Sequence, residues 1–265
     1  MKILILGSKG MAGHIISKYL RENTDWDITD SDRRTLEIKD DSDWKGRIKD
    51  LHSEKKFDFV INCIGVLKPD AIKNPILAIK INSLFPHELA ELCTSLGIKV
   101  IHISTDCWND LDIYGRSKRA GELDYPNHLT LRTSIIGPEL KSTGSGLFHW
   151  FMFQEGEVNG FTKHYWDGVT TLELAKNIFS IIKNNPESNQ IIEFRTKNKV
   201  NKFELVTYIK ETFNKDIVIN PKETDTVDKT NDNPDSVSEK TLKTQIEELK
   251  EWMINHRPLY NQYFV

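Results

Sequence analysis

The stretch KILILGSKGMAGHIISKYLRE, residues 2 to 22, decides the fold of this chain. Residues 2 to 6 form an apolar run without the polar alternation of a half-buried strand, as expected of a strand that is buried on both faces. Gly7, Gly10 and Gly13 follow directly and open a helix. One apolar stripe marks that helix: Ile15, Ile16, Tyr19 and Leu20. A strand, a glycine-rich turn and a helix in this order predict the first half of a βαβ unit.

Three later apolar runs rich in β-branched residues predict further parallel strands: DFVINCIG (58–65), KVIHIS (99–104) and LTLRTSIIG (129–137). The segment NPILAIKINSLFPHELAELCTSLG (74–97) predicts one helix between two of them. Strands that alternate with helices are typical of right-handed crossovers. The sequence therefore predicts an α/β fold with a Rossmann-type, doubly wound parallel sheet.

The pattern changes after about residue 150, where helices and short strands mix. We predict two domains: an NAD(P)-binding Rossmann domain over residues 1–150 and a smaller mixed α/β substrate lobe over 151–265. The polar segment 222–240 is predicted to be a solvated connector, because it holds Pro234 and no large aromatic residue. A helix over 241–256 is expected to close the fold by packing.

Composition excludes several classes of protein. The 265 residues have a formal net charge of −3, so a basic surface for nucleic acid is not expected. No apolar run of about 20 residues is present to span a membrane. The three cysteines lack the spacing of a zinc site, which predicts no metal and reduced thiols. A cytoplasmic location is the expectation.

The glycines at positions 7, 10 and 13 form a GxxGxxG pattern between strand and helix. Glycines in this place allow a tight turn and close approach of the backbone to a pyrophosphate, which the N–H groups of the helix then bind. The alternative is an ordinary turn that needs glycine for its shape. The strand before the loop and the helix after it favour dinucleotide binding.

The choice between NAD and NADP depends on the end of the second strand, about 20 residues past the glycines. An acid there favours NAD and an arginine favours NADP, and this chain has Asp30 and Asp32 followed by Arg33 and Arg34. The two arginines favour NADP, with NAD as the alternative and an exposed charged turn as the simpler interpretation. Asp40 is a candidate for the adenine edge or for a helix N-cap.

The segment ISTDCWNDLDIYGRSKRAGE, residues 103 to 122, suggests a chemistry. Thr105 follows a strand, and Tyr114 and Lys118 are four residues apart on a predicted helix, hence on one face. Reduction of a ketone by a hydride needs a proton at the oxygen, which Tyr114 can supply. We expect Lys118 to lower the pKa of Tyr114, and Thr105 to hold the carbonyl oxygen. The alternative is a chance pair on a surface helix.

Taken together, these motifs resemble the extended short-chain dehydrogenase/reductases. The glycine loop, NCIG at 62–65, Asn82, STD at 104–106 and the YxxxK pair contribute to the likeness. FDFVINCIGV, ISTDC and YGRSKRAGE are most similar to the dTDP-4-dehydrorhamnose reductase group. The resemblance implies NADPH- or NADH-dependent reduction of a nucleotide-linked 4-keto-6-deoxy sugar, in the synthesis of cell-surface polysaccharide precursors.

The resemblance also implies roles for individual residues. Tyr114 is the proton donor, Lys118 binds the nicotinamide ribose, and Thr105 orients the keto group. The expected cofactor contacts are Gly7, Lys9, Gly10, Met11, Arg33, Arg34, Asn62, Cys63, Ile64, Gly65, Asn82, Tyr114, Lys118 and Thr133. The expected substrate contacts are Val66, Thr105, Asp106, Ser134, Trp166, Gly168 and Val169. Asn82 supports Lys118 in this scheme, and a homodimer is an open expectation.

Two other functions stay open from the sequence. One is a sugar-nucleotide epimerase or reductase-epimerase, because the same scaffold and residue pair serve both reactions. The other is a catalytically silent protein that binds NADP and regulates a partner. Retention of Thr105, Tyr114 and Lys118 together favours the enzyme.

The connector between Thr105 and Tyr114 departs from the family, in which a longer loop separates the two positions. Here only eight residues lie between them. Two interpretations fit: a shortened, more open site, or a sequence that lacks a mobile loop. The second is favoured because CWNDLD has no Gly or Pro for a tight connection.

Overall fold

The computed structural model describes residues 1–38, 42–184, 189–232 and 234–264. The chain forms two compact units, Met1–Thr133 with Ala175–Glu193, and Ser134–Leu174 with Phe194–Val265. It therefore enters the second unit twice. The division of functions at residue 150 stays a prediction, because these units describe packing and not what each part binds.

The described strands and helices have the following bounds. The strands are β1 (Lys2–Leu6), β2 (Asp27–Ser31), β3 (Phe59–Asn62), β4 (Lys99–Ile103), β5 (His128–Arg132), β6 (Ile135–Ile136), β7 (Glu157–Phe161), β8 (His164–Trp166), β9 (Val169–Thr170), β10 (Asn189–Thr196), β11 (Val200–Asn201), β12 (Val218–Lys222), β13 (Val227–Asp228) and β14 (Ser236–Ser238). The α-helices are α1 (Gly13–Asn23), α2 (Trp44–Lys55), α3 (Lys68–Lys73), α4 (Pro75–Ala78), α5 (Phe85–Ser95), α6 (Ile113–Ala120), α7 (Leu147–Met152), α8 (Thr171–Asn184), α9 (Lys202–Phe213), α10 (Leu242–Asn255) and α11 (Arg257–Tyr260). Within the part of the chain that is described, no helix has the length and apolar character needed to cross a membrane.

Seven parallel strands form the main sheet, in the order β14-β10-β5-β4-β3-β1-β2. The predicted Rossmann-type α/β class is confirmed. Residues 3 to 6 of β1 are fully buried, as a strand with helices on both faces requires. In register, Leu6 pairs with Asn62 and Asn62 pairs with His102, so β1, β3 and β4 end at one edge of the sheet.

The predicted helix over 74–97 is present but is not regular. A π-helical turn, Ile79–Leu84, lies between α4 and α5. The wider turn contains Asn82, which is fully buried and hydrogen-bonded to the backbone of Val66. Apolar periodicity could not reveal this turn, because its cause is a polar contact with a distant segment. Single π turns inside α-helices frequently occur at functional sites.

The second unit is a mixed α/β lobe with small sheets, as expected. Its sheets are β11-β8-β13, β12-β7 and β6-β9. The prediction of a solvated connector over 222–240 is wrong in part, because β13 and β14 lie within it. A buried ion pair explains the order: Arg195 contacts Asp167 at 2.6 Å and donates to the carbonyl of Lys229, and Asp167 accepts from the N–H of Asn231.

The end of α6 packs tightly on the π turn, and this packing can be tested at Gly121. A Cβ there would overlap the carbonyl oxygen of Asn82. We expect Gly121→Ala to cost about 3 kcal/mol of unfolding free energy through overpacking. Gly97→Ala is the control, since Gly97 has a φ of +72° and no atom within 4 Å of an added Cβ. It should cost only about 1 kcal/mol through backbone strain, and equal costs in urea unfolding would contradict the close contact.

Candidate active site

The carboxyl edge of the parallel sheet brings three backbone segments together. The N–H of Cys63 donates to the carbonyl of Leu6 at 3.0 Å, which sets the NCIG segment beside Gly7. The N–H of Ser104 donates to the carbonyl of Leu131 at 2.7 Å. Ligands of open α/β sheets bind at this edge.

The glycine loop has the shape that a pyrophosphate requires. Gly7 has a φ of +77°, and a Cβ there would lie 3.2 Å from the carbonyl of Cys63. A Cβ at Gly13 would overlap the carbonyl oxygen of Gly7. Helix α1 begins at Gly13, and no side chain caps its first turn. Its N–H groups therefore fit an anion such as a dinucleotide phosphate.

His14 is buried and hydrogen-bonded to the glycine loop. The sequence pattern did not identify it. Its Nδ1 lies 2.8 Å from the carbonyl of Gly10, which makes Nδ1 the protonated nitrogen of a neutral ring. Burial lowers the pKa of His14 to about 4, so the ring adds no charge at neutral pH. Lys9 is exposed and Met11 is half-buried on the same loop.

The two acids at the end of β2, Asp30 within the strand and Asp32 just after it, have partners within the protein. Asp30 accepts hydrogen bonds from Ser17 at 2.6 Å and from Arg21 at 2.9 Å. Asp32 forms an ion pair with Lys9, and this contact holds the pKa of the carboxyl below its usual value. Both carboxylates are therefore engaged with protein cations before any ribose arrives.

Arg33 and Arg34 are both exposed in the turn that follows β2. The N–H of Arg34 donates to Asp32 at 2.8 Å, which fixes the turn. Lys9 pairs with Asp32, the acid directly before the two arginines. Asp40, the candidate for the adenine edge, lies outside the described residues.

Asn82 joins the cofactor-side segment to the helix of the Tyr/Lys pair. Its Oδ1 accepts from the N–H of Val66 at 2.8 Å, and its Nδ2 donates to the carbonyl of Val66 at 3.0 Å and to Ser117 Oγ at 3.2 Å. A Cβ on Gly65 would lie 3.5 Å from Asn82 Oδ1 and 3.9 Å from Lys118 Nζ. The structure thus brings Gly65, Asn82 and Lys118 together, and Asn82 reaches the helix through Ser117.

Asn62 and His102 form a buried pair beneath this segment. Asn62 Oδ1 accepts from the N–H of Ile64 at 3.0 Å, and its Nδ2 lies 3.1 Å from His102 Nδ1. Burial lowers the pKa of His102 well below its usual value, so the ring is neutral and Nδ1 accepts. Burial also raises the pKa of Cys63 to about 12, which makes its thiol unreactive.

The eight-residue connector is long enough to bring Thr105 to Tyr114. It forms a 3₁₀ turn, Asp106–Asn109, in which Thr105 Oγ1 accepts from the N–H of Cys107 at 3.1 Å. Asp112 then caps the first turn of α6. The side chains of Thr105 and Asp112 cap these two turns, so the connector is ordered without the Gly or Pro expected of a tight connection. Thr105 Oγ1 lies 3.2 Å from Asp106 Oδ1, to which it donates, and the Thr105 side chain also lowers the pKa of Tyr114.

The expected lowering of the Tyr114 pKa is wrong. Burial raises it to about 12, and the nearby Asp106 and Asp112 add to the rise, against a smaller lowering by the Thr105 hydrogen bond. The phenol of Tyr114 is therefore fully protonated at neutral pH, which is the form that can donate a proton.

Lys118 is buried beside the strand end. Its Nζ donates to the carbonyl of Ile103 at 2.7 Å. Burial lowers its pKa to about 8, against opposing contributions from Glu122 and Cys63. At pH 7 the side chain is still mostly charged, so it presents a weakly hydrated positive charge at the candidate site.

A buried ionic network lies behind the Thr105 strand end, and sequence reasoning missed it. Ser104 Oγ donates to Glu122 at 2.8 Å, and Arg132 binds the same carboxylate through two nitrogens at 2.8 and 2.6 Å. No local spacing signals it, because Ser104 and Arg132 are 18 and 10 positions from Glu122. Thr133, next to Arg132, is buried.

The other expected substrate contacts cluster within the second unit. The N–H of Val169 donates to the carbonyl of Ser134 at 2.9 Å, where β6 pairs with β9. A Cβ on Gly168 would overlap both that carbonyl and the ring of Trp166. Trp166 is only 3 % exposed, so most of its ring serves the core. Val66 and Asp106, in the first unit, are half-buried.

A parallel α/β sheet, a phosphate-type glycine loop and a Thr/Tyr/Lys set at its carboxyl edge define the class of extended short-chain dehydrogenase/reductases. Within that class, the model of the RmlD substrate binding domain family matches residues 1–254, and the chain belongs to this family.

Individual relatives agree with this assignment. A dTDP-4-dehydrorhamnose reductase of Mycobacterium tuberculosis is 28% identical over 168 residues, which cover 51% of this chain and 50% of that protein. The chain spans about half the length of the curated relatives it matches.

Two solved structures share the fold. A dTDP-4-dehydrorhamnose reductase of Clostridium acetobutylicum has 21% identity and a TM-score of 0.77, covering 96% and 100% of the two chains. One of Bacillus anthracis, in complex with NADP, has 18% identity and a TM-score of 0.75, covering 95% and 99%.

The burial of Lys118 predicts a pH-dependent cost to stability. Its pKa is about 8 in the folded chain against a usual 10.5, so the unfolded chain binds more protons between these values and stability rises with pH there. Below pH 8 the cost is fully present, at most about 3 kcal/mol. We expect Lys118→Met to unfold at higher urea than the parent at pH 7, with the difference shrinking by pH 10. An unchanged difference at both pH values would contradict the lowered pKa.

Proposed function

We propose that the chain is an NAD(P)H-dependent reductase of a nucleotide-linked 4-keto-6-deoxy sugar, similar to dTDP-4-dehydrorhamnose reductase. The observation that carries the proposal is the Thr105–Tyr114 hydroxyl pair beside the buried Lys118, at the sheet edge that also holds the glycine loop. The names of the curated relatives, a dTDP-4-dehydrorhamnose reductase among them, support it. The product would enter the synthesis of cell-surface polysaccharides.

NADPH is the proposed cofactor, with NADH as the alternative. The glycine loop and the uncapped N-terminus of α1 fit the pyrophosphate. Arg33 and Arg34 suit a 2′-phosphate, and Lys9 occupies the acid that would otherwise bind a free ribose hydroxyl. The Bacillus anthracis relative in complex with NADP agrees. When bound, the cofactor supplies the hydride for the carbonyl carbon.

The protein groups would supply the proton and hold the carbonyl. Tyr114 keeps its proton at neutral pH and gives it to the carbonyl oxygen as negative charge develops there. Thr105 donates a hydrogen bond to the same oxygen, and the charge of Lys118 stabilises the phenolate left on Tyr114. Asn82 holds Gly65 and Val66 at the cofactor side. Contacts of the sugar nucleotide with Asp106, Ser134, Trp166, Gly168 and Val169 stay part of the proposal.

The location and the assembly of the protein complete the proposal. A cytoplasmic location is supported by three free cysteines. We also propose a homodimer, since large apolar side chains are exposed along α3, α4 and the π turn: Leu67, Ile72, Ile76, Leu77, Ile79 and Leu84. Ile76 is 68 % exposed. A monomer mass in light scattering at micromolar concentration would contradict the dimer.

The reductase proposal predicts the behaviour of Tyr114→Phe. The variant should reduce a dTDP-linked 4-keto-6-deoxy sugar at least about 100-fold more slowly, because the proton donor is lost. NADPH affinity, measured by calorimetry, should not change. Tyr208→Phe in helix α9 is the control and should keep full activity.

The same assay separates the alternatives. Sugar isomerisation without net NADPH consumption would identify an epimerase. NADPH binding without turnover of UDP-, GDP- or dTDP-linked sugars would favour the regulatory protein. Full activity in Tyr114→Phe would remove the tyrosine from the mechanism.

The cofactor preference can be tested at the basic turn. In an Arg33→Ala, Arg34→Ala variant we expect NADPH affinity to fall about tenfold or more, because two charge-assisted contacts with the 2′-phosphate are lost. NADH affinity should stay within about twofold, since NADH lacks that phosphate. Lys141→Ala and Lys222→Ala, at two exposed lysines of the second unit, form a control of equal charge. Equal losses for both cofactors, or tighter binding of NADH by the parent, would shift the cofactor assignment to Asp30 or Asp32.

A further inference from the structure

Trp108, in the connector between Thr105 and Tyr114, has no role in the proposed chemistry. Its ring is half-buried, and two arginine side chains lie against it. The guanidinium carbon of Arg132 is 4.1 Å from the ring centroid, and that of Arg119 is 5.3 Å away. Contacts of this kind are attractive, and more so where the cation has lost water.

Arg132 is held rigidly by two carboxylates. It binds both oxygens of Glu122, at 2.8 and 2.6 Å, and lies 3.7 Å from Glu193. The Glu122 and Glu193 side chains are only 4 % and 7 % exposed. A bidentate guanidinium–carboxylate pair fixes the plane of the guanidinium, so Arg132 offers Trp108 a flat surface of defined orientation.

The same carboxylate also holds the strand end. Ser104 Oγ donates to Glu122 at 2.8 Å. Ser104 lies one residue before Thr105 and Trp108 lies three residues after it. The chain is therefore attached to one buried ion pair on both sides of Thr105.

The far end of the connector has its own attachment. Lys68 Nζ contacts Asp112 at 2.6 Å and Asp110 at 3.5 Å. Asp112 is the residue that caps α6, two positions before Tyr114. Lys68 follows the NCIG segment, so these ion pairs join the connector to the proposed cofactor side.

We propose that Trp108 is a positioning residue: stacked on the Glu122–Arg132 pair, it fixes the short connector and so sets the spacing of the Thr105 and Tyr114 hydroxyls. The inference rests on the proposed function only for its kinetic consequence. The ordering of the connector follows from contacts within the first unit and can be measured whatever the protein reduces.

Hydrogen–deuterium exchange read by mass spectrometry tests the proposal in the full chain. In Trp108→Leu we expect amides of residues 105–113 to exchange about tenfold faster, with helix α1 unchanged, because the anchor of one local segment is lost. Trp108→Phe, which keeps an aromatic face, should restore most of the protection. Trp150→Leu is the matched control, since Trp150 lies in the second unit and is 41 % exposed.

Kinetics give the second measurement. Trp108→Leu should lower kcat about tenfold and leave the NADPH dissociation constant unchanged, because misplaced hydroxyls slow the step without altering the cofactor site. Unchanged exchange over 105–113 in Trp108→Leu would overturn the proposal. Faster exchange throughout the first unit would also overturn it, since Trp108 would then serve general stability. If the parent reduces no sugar nucleotide, the proposed function fails, and exchange alone decides the role of Trp108.

Discussion

One side-chain amide holds the candidate site together. Asn82 makes a paired contact with Val66, accepting from its N–H at 2.8 Å and donating to its carbonyl at 3.0 Å, and also donates to Ser117. Buried backbone groups left without partners cost about 1 to 3 kcal/mol each, so the Val66 backbone depends on this amide. The π turn in the helix is the distortion that carries Asn82 to its place. The segment after β3 and the helix of Tyr114 and Lys118 are thereby fixed to each other.

Burial sets the protonation states of the resting site. Burial raises the pKa of Tyr114 to about 12 and lowers that of Lys118 to about 8, which disfavours the charged form of each. Before substrate binds, the site therefore holds a neutral phenol and a strained ammonium. Negative charge that develops at a carbonyl oxygen would stabilise the Lys118 ammonium and would attract the proton of the Tyr114 phenol. Such a site works against stability in the resting protein, a relation common in enzymes.

The sequence was sufficient for the features that depend on local pattern. Apolar runs and glycine spacing predicted the parallel sheet, the loop at Gly7 and the helix that begins just before Tyr114. The sequence was not sufficient where the role of a side chain depends on contact with a residue far away in the chain. Periodicity cannot show that Asn82 bonds Val66, 16 positions away, or that Arg132 binds Glu122 across a strand and a turn. The predicted direction of the Tyr114 pKa shift failed for the same reason, since burial, its main cause, is a property of the packed structure.

The short connector loses its conformational entropy when the chain folds and not when substrate binds. Fixing the backbone of one residue costs about 1 to 2 kcal/mol of free energy, so a long loop that orders only around a substrate weakens binding by a corresponding amount. Here the connector is capped by Thr105 and Asp112, and Trp108 lies on a guanidinium that Glu122 already orients. The free-energy cost of ordering the connector is therefore part of folding, where packing of the core offsets it, and does not weaken substrate binding. The segment that carries Thr105 and Tyr114 is then ordered before any substrate arrives, and preorganised groups need no rearrangement at the moment of reaction.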